Sequence, residues 1–280
     1  MIIVDYTGIA IATVVINKIN EEDLLRHMIL NSIRQYRVKY KKDFGEIVLA
    51  CDGANNWRRG YYPQYKANRK KSREESDFDW QEAFRIIHKV KDEIRENFPY
   101  KVLHVDECEA DDIIGTLAAN TQEFGQYEEV MIISSDKDFL QLQKYDNVRQ
   151  YSPLLKKEYK EDTPKLGLIE KILKGDSGDG VPNVLSDDDC LVEGRRQTPL
   201  SKKKKEAILA DIDNTNSDWY RNYQRNKKLI DLSETPDRLK QKILDEFNSQ
   251  DQWNNKGLVF PYLINKNMKM LIESVEEFIN

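Results

Sequence analysis

The sequence predicts an α/β fold: a mostly parallel central sheet with flanking helices, plus a smaller helical C-terminal domain. Three observations predict it. Strand-like and helix-like patterns alternate through roughly the first 150 residues, as a parallel sheet with crossover helices requires. From about Pro164 the strand signal fades and helical spacing takes over. Four apolar β-type runs also reach a carboxylate just as they end, and in an open parallel sheet those ends share one edge, where a ligand crevice forms. The expected division is an α/β domain over residues 1–162 and a helical domain over residues 163–280.

The first run, IIVDYTG, gives a strand closing on Asp5. Helical spacing follows from about Glu21 to Tyr40, through Leu24, Leu25, Met28, Ile29 and Ile33. EIVLACDG is the second strand and ends at Asp52; a basic, aromatic stretch separates it from a helix over about Asp79 to Asn97, which Pro99 closes. The third strand, about Lys101 to Asp106, leads into a helix starting near Glu109, where acids suit the positive end of the helix dipole. A fourth strand, VMIISSDKD, ends at Asp136, and VRQYSP adds a fifth. Later helices are expected from about Leu166 to Lys174, Lys203 to Asp211, Asp218 to Leu232, Asp237 to Phe247 and Asn267 to Ile279.

Charged residues make up 33% of the chain and the mean hydropathy is −0.73, which describes a strongly solvated protein with no lipid-spanning stretch. The N-terminal run lacks the basic start and small-residue cleavage site of a signal peptide. Three widely spaced cysteines without a CxxC pair argue for a reducing, cytoplasmic setting and against zinc or a disulfide framework. The net charge of −5 hides an uneven distribution. In WRRGYYPQYKANRKKSR seven bases, Arg58, Arg59, Lys66, Arg69, Lys70, Lys71 and Arg73, occur without one acid, and a second run spans Lys202 to Lys205. Such clusters are the footprint of phosphate backbones.

Taken singly, an Asp at a strand end is usually a cap or turn residue. Capping explains neither the two acids of SSDKD, Asp136 and Asp138, nor the pair Asp176 and Asp179 in GDSGDGVPN. Together with Asp5, Asp52, Glu109, Asp111 and Asp112 they would repel one another in one crevice unless cations neutralise them. Oxygen-only ligands point to Mg²⁺, with Mn²⁺ able to substitute. Two such ions suit phosphodiester cleavage. Tyr61, Tyr62 and Tyr65 interleave with the first basic run, an arrangement that fits single-strand binding, the rings stacking on bases while Lys and Arg track phosphates. The bland reading of that stretch is a solvated loop, and with little apolar anchoring it is expected to be mobile. None of the three histidines sits in metal-type spacing, and no nucleophile elbow supports a serine triad.

In order and spacing, WRRGYYPQYKANR, ECEADD, IISSDKDFLQL, YSP and ILKGDSGDGV resemble the 5'-nuclease or flap endonuclease superfamily, and within it the ribonuclease H branch. The resemblance runs nearly the whole chain. It implies the PIN-like 5'-nuclease fold, a helical arch near residues 57–80, and a helix-turn-helix-like segment that grips duplex in the second domain. Asp5, Asp52, Glu109, Asp111 and Asp136 would form the first metal region, and Asp138, Asp176 and Asp179 the second, with Asp112 between. Lys66 matches the arch lysine that contacts the scissile phosphate; Lys66, Asp136 and Asp138 are the expected catalytic residues. Arg58, Arg59, Tyr65, Lys66, Arg69, Lys202 and Lys203 are expected on nucleic acid. Many members follow the GDxSDNIPG-type segment with a Gly-x-Gly hairpin that binds duplex with help from potassium; this chain departs, reading GDGVPNVLSDDDCLVEGRRQTPLSKKKK.

The resemblance implies a monomeric Mg²⁺-dependent 5' to 3' nuclease acting on RNA–DNA hybrid, primer-template or branched DNA and 5' flaps in replication. Single-strand-binding protein and sliding clamp are its candidate protein partners. Three rivals are weighed against it. A compact PIN-type ribonuclease would lack the long helical C-terminal region and GDSGDG. A haloacid-dehalogenase-like phosphotransferase would need a second Asp where Thr7 stands. A non-catalytic branched-DNA binding protein would not call for so many carboxylates.

Overall fold

A computed structural model gives the backbone of residues 1–280 and all side chains except those of Lys70, Lys71, Ser72, Glu74, Gln252 and Trp253, so two lysines of the basic run lie outside the described side chains. Six strands form one sheet: β1 (Ile2–Asp5), β2 (Ile47–Cys51), β3 (Lys101–His104), β4 (Val130–Ile133), β5 (Val148–Ser152) and β6 (Lys157–Tyr159). Their order is β3-β2-β1-β4-β5-β6. All pairings are parallel except β5 with β6. The sheet therefore reverses its winding at β1, between β2 on one side and β4 on the other, and a crevice opens where the chains leaving those strands diverge.

Residue alternation along the strands divides the interior in two. Ile2, Val4, Leu49, Cys51, Val102, Met131 and Ile133 face helices Tyr6–Asn17, Glu22–Phe44 and Trp80–Asn97. Ile3, Val48, Ala50, Leu103, Val130 and Ile132 face helix Ala110–Asn120. Both faces being covered, the strands carry near-continuous apolar runs.

The region after residue 163 behaves as two parts. Helices Pro164–Lys174, Lys202–Ala210 and Tyr220–Ile230 gather around small clusters of their own, one of which includes Tyr62 and Tyr65 of the basic stretch. The chain then returns to the sheet: Leu232, Leu239 and Ile243 join one core, and Val259, Tyr262, Leu263, Met268, Leu271 and Phe278 join the other. In place of the last expected helix stand two short ones, Lys269–Ile272 and Glu276–Ile279, and a helix that was not expected, Val259–Asn265, precedes them. Helix Tyr6–Asn17 and strand β6 were not expected. The first follows Asp5 so directly that YTGIAIATVVIN, apolar almost all round, shows no clear 3.6-residue stripe. Among the described residues no helix is long and apolar enough to cross a membrane.

Candidate active site

Local chain geometry brings the acids to the crevice. Asp5 ends β1 and caps helix Tyr6–Asn17: its Oδ1 accepts from Gly8 N at 2.8 Å and its Oδ2 from Ser134 Oγ at 2.8 Å. Gly8 is required there, because a Cβ would stand 2.3 Å from the Asp5 carboxylate. Asp52 follows β2, its N–H donating to Thr7 Oγ1 at 3.0 Å and its Oδ1 accepting from Ala110 N at 2.8 Å. That bond fixes Asp52 to the start of helix Ala110–Asn120, which carries Asp111. Asp136 caps the 3₁₀ turn after β4 through Asp138 N at 2.9 Å. Buried Gln150 on β5 holds this loop by donating to the carbonyls of Ser134 at 2.9 Å and Asp136 at 2.6 Å.

The carboxyls of the crevice sense burial first and one another's charge second. Burial, then the neighbouring Asp52 charge, raises the Asp5 carboxyl to about 6. Burial together with Glu109 raises Asp52. Burial also pushes Asp111 well up, Glu109, Asp136 and Asp5 adding to it against the pull of Lys66. Burial, with Asp176 adding, raises Asp136 against Lys171. Glu109 goes the other way: burial would raise it, but Lys66 and Arg58 outweigh burial and hold it at about 2.

The protein's own cations supply part of the neutralisation that sequence reasoning assigned wholly to metals. Lys66 Nζ donates to Glu109 Oε1 at 2.5 Å and lies 3.7 Å from Asp179. Lys171 pairs with Asp138 and, at 3.1 Å, with Asp176. Arg69 donates to Asp179 at 2.5 Å. With the carboxylates drawn onto these partners, no three or more acids close around one point among the described residues. The donor set nevertheless fits hard divalent cations. It is all oxygen, and Asp5, Asp52, Asp111 and Asp136 are raised by burial and, after it, by neighbouring acids, both of which a bound cation would offset.

Three expected site residues have other work. Asp112 is fully buried and both its oxygens are taken: Oδ1 accepts from Trp57 Nε1 and Thr235 Oγ1, Oδ2 from Arg58 and from the Glu109 N–H. With no lone pair left for the crevice, it is a structural anchor and not a metal ligand. Arg58, 1% exposed, spends its guanidinium on Asp112 at 2.9 Å, Glu109 at 3.4 Å and the Leu229 carbonyl at 3.0 Å, out of reach of nucleic acid. Tyr65 is likewise buried, its hydroxyl donating to Glu109 at 2.9 Å and lying 3.1 Å from Asp179, so its ring is not a stacking surface. Arg59, Lys202 and Lys203 are exposed, and Lys66 and Arg69 stand at the crevice.

The first half of the arch has more apolar anchoring than the sequence suggested. Trp57, Tyr62 and Tyr65 are buried and anchor its first half. Lys66 takes the left-handed backbone region (φ 56°), and its N–H donates to the Asp179 carbonyl at 2.8 Å. Gly180 packs beneath: its φ is +74° and a Cβ there would lie 2.8 Å from the Gln64 carbonyl oxygen. Arch base and GDSGDG loop thus form one unit, from which helix Ala67–Glu74 departs. Ser134, Thr7, Gln150 and Lys171 were missed by sequence reasoning; only Ser134, inside SSDKD, carried a visible signal.

Comparison with known proteins decides the family. Residues 17–171 match the family model described as 5'-3' exonuclease, N-terminal resolvase-like domain, and residues 162–278 match T4 RNase H, C terminal. The chain belongs to the 5'-3' exonuclease family. Among 5'-3' exonuclease relatives, ribonuclease H of Enterobacteria phage T4 is 37% identical over 99% of this chain and 95% of that protein. The exodeoxyribonuclease of Enterobacteria phage T3 is 30% identical over 66% of this chain and 58% of its own length. Two bacteriophage T5 structures share the fold with a TM-score of 0.63, each aligned over 88% of this chain and 98% of the other. They are the 5'-exonuclease with bound zinc, at 18% identity, and the flap endonuclease with DNA and metal ions, at 19%. As a 5'-3' exonuclease family member the chain is a nuclease, a phosphodiester hydrolase.

Proposed function

We propose that this nuclease works from 5' ends, cleaving RNA–DNA and DNA duplexes and 5' flaps with Mg²⁺, and removes RNA primers during DNA replication. The observation that carries the reading is the meeting of acids from β1, β2, β4 and helix Ala110–Asn120 with Lys66 at the arch base. Asp5, Asp52, Glu109, Asp111 and Asp136 would hold one divalent ion and Asp138, Asp176 and Asp179 another, in agreement with metal-bound T5 relatives of this fold. Bound there, the ions would supply Lewis-acid activation of water and offset charge on the phosphoryl oxygens.

The chain's own residues do the rest. The Lys66 ammonium is positioned to leave Glu109 and bind a non-bridging oxygen of the scissile phosphate, adding a fixed charge where negative charge develops. Tyr65 and Arg58 keep Glu109 oriented while Lys66 moves, since both contact its other oxygen. Arg69 faces the adjoining phosphate. Lys202 and Lys203, exposed at the positive end of helix Lys202–Ala210, repel that helix dipole in the free protein. Duplex phosphates would neutralise them, which supports a duplex-binding role for the helical region. Primer-template and branched DNA and RNA–DNA hybrid are the proposed partners, bound by a monomer in the cytoplasm, with replication proteins such as single-strand-binding protein or a sliding clamp recruiting it.

The test is cleavage of a 5'-labelled RNA primer, DNA primer and DNA flap on one template, with Mg²⁺ and with EDTA. Short labelled products that require Mg²⁺ support the reading. Internal cuts with no dependence on the 5' end would overturn it.

A further inference from the structure

The carboxylates of the crevice are not all held by the same part of the chain. Lys66 and Arg69, which pair with Glu109 and Asp179, come from the arch. Lys171, which pairs with Asp138 and Asp176, comes from helix Pro164–Lys174. Ile172 and Leu173, 1% and 0% exposed, root that helix in the two small clusters of the helical region. The Lys171 carbonyl accepts from Gly175 N at 2.8 Å, and a Cβ on Gly175 (φ +72°) would stand 2.4 Å from the Val181 carbonyl oxygen. The backbone of Lys171 is therefore fixed just ahead of Asp176, and only its side chain is free to move.

That side chain has a second place to go. A long side chain on a helix leans towards the N-terminus, over the residue four positions earlier, which here is Gly167. The Glu161 Oε2 atom lies 3.6 Å from where a Gly167 Cβ would stand. Thr163 N donates to Glu161 Oε1 at 2.9 Å and Glu161 N to Gln143 Oε1 at 2.8 Å, which fix this acid beside the helix. Asp138, Glu161, Gly167 and Lys171 line one cleft of about 170 Å³. With no side chain on Gly167, the lysine stem can lie along the helix there. An ammonium on Asp138 and Asp176 and a divalent ion on the same oxygens exclude one another, by space and by charge.

Resting on the two-ion reading above, we propose that Lys171 is a resident counter-cation that the second divalent ion displaces, its ammonium moving from Asp138 and Asp176 to Glu161. Without the ion, Lys171 keeps both acids paired and in place. With the ion, Glu161 takes up the displaced charge. Lys171 thus sets how tightly the second ion binds, and Glu161 acts only through Lys171.

The experiment titrates the full chain with Mn²⁺ in the absence of nucleic acid, free Mn²⁺ being read by electron paramagnetic resonance. Wild type should bind two ions, and Asp176→Asn should lose the weaker one. Lys171→Gln should tighten that weaker site by roughly 5- to 100-fold, whereas Lys171→Arg should leave it weak. Glu161→Gln should loosen it by about 2- to 5-fold in the wild-type background and have no effect in Lys171→Gln protein. A lysine with a structural role alone would change melting temperatures but not these affinities. Two ions bound with unchanged affinity in either Lys171→Gln or Glu161→Gln protein, or with a weakened second site in Lys171→Gln, would overturn the proposal alone. One ion per chain in both wild type and Lys171→Gln protein would refute the two-ion reading and the proposal with it.

Discussion

At the residue scale the site is built from charges that need one another. Arg58 shows this best: buried with Asp112 and Glu109, it positions the acids and touches nothing outside. Arg58→Met should cost roughly 3–5 kcal/mol, because it strands Asp112 without a counter-charge; a urea midpoint close to wild type would contradict the pairing. Asp5 gives a pH signature. Its folded pKa of about 6 exceeds the ordinary carboxyl value of 3.8, so between those values the folded state binds more protons than the unfolded state. In EDTA, therefore, Asp5 makes the protein less stable at pH 7 than at pH 5. The melting temperature should rise as pH falls across that window, with Mg²⁺ erasing the difference. Glu109, held at about 2, acts oppositely: its contribution is present above its usual 4.5 and is lost only as pH falls towards 2. The acids themselves were legible because strand-end carboxylates recur in the sequence. The buried roles of Asp112, Arg58 and Tyr65 were not, since a polar side chain looks the same in sequence whether it faces substrate or satisfies a buried partner.

At the element scale the arch base and the GDSGDG loop are joined into one piece. The bond from Lys66 N–H to the Asp179 carbonyl, the Tyr62 hydroxyl 3.3 Å from the Gly180 carbonyl, and the close approach of Gly180 to Gln64 tie them. Gly180→Val should separate the two and shift Lys66. Misplacement on that scale costs up to about 100-fold in kcat, while global stability changes little because the loop lies outside both large cores. Wild-type turnover would show the contact to be incidental. Most strands and long helices could be read from periodicity and from Pro and Gly punctuation. Helix Tyr6–Asn17 could not, since apolar residues also stand on its exposed side, Val15 and Ile16 among them, and blur the stripe that marks a helix. The anchoring of the arch was hidden for a related reason: Trp57, Tyr62 and Tyr65 sit among bases, and composition reported the bases.

At the scale of the whole molecule the chain closes on itself. The C-terminal segment returns to the first core, and Phe278 lies fully buried against Phe98 at 5.4 Å between ring centroids. Phe278→Ala should therefore lower stability by about 3–5 kcal/mol and loosen the helices on that face of the sheet; a loss well under 1 kcal/mol would mean the segment is only draped on the surface. Between these cores the helical part from Pro164 to Ile230 carries Asp176, Asp179 and Lys171 into the crevice formed by the sheet, so the site is complete only when both parts are in place. Sequence reasoning found the composition of that region but not its path, because which core a helix joins depends on tertiary geometry that local spacing does not encode.

The central claim is that the converged acids, and not the fold alone, perform hydrolysis from the 5' end. It is tested most directly by comparing wild type with Asp136→Asn on a 5'-labelled RNA-primed template in Mg²⁺, with binding to the same substrate measured in parallel. Binding within a few-fold of wild type, with release of short 5' products abolished, is the predicted result. Undiminished product release by the Asp136→Asn protein would contradict it.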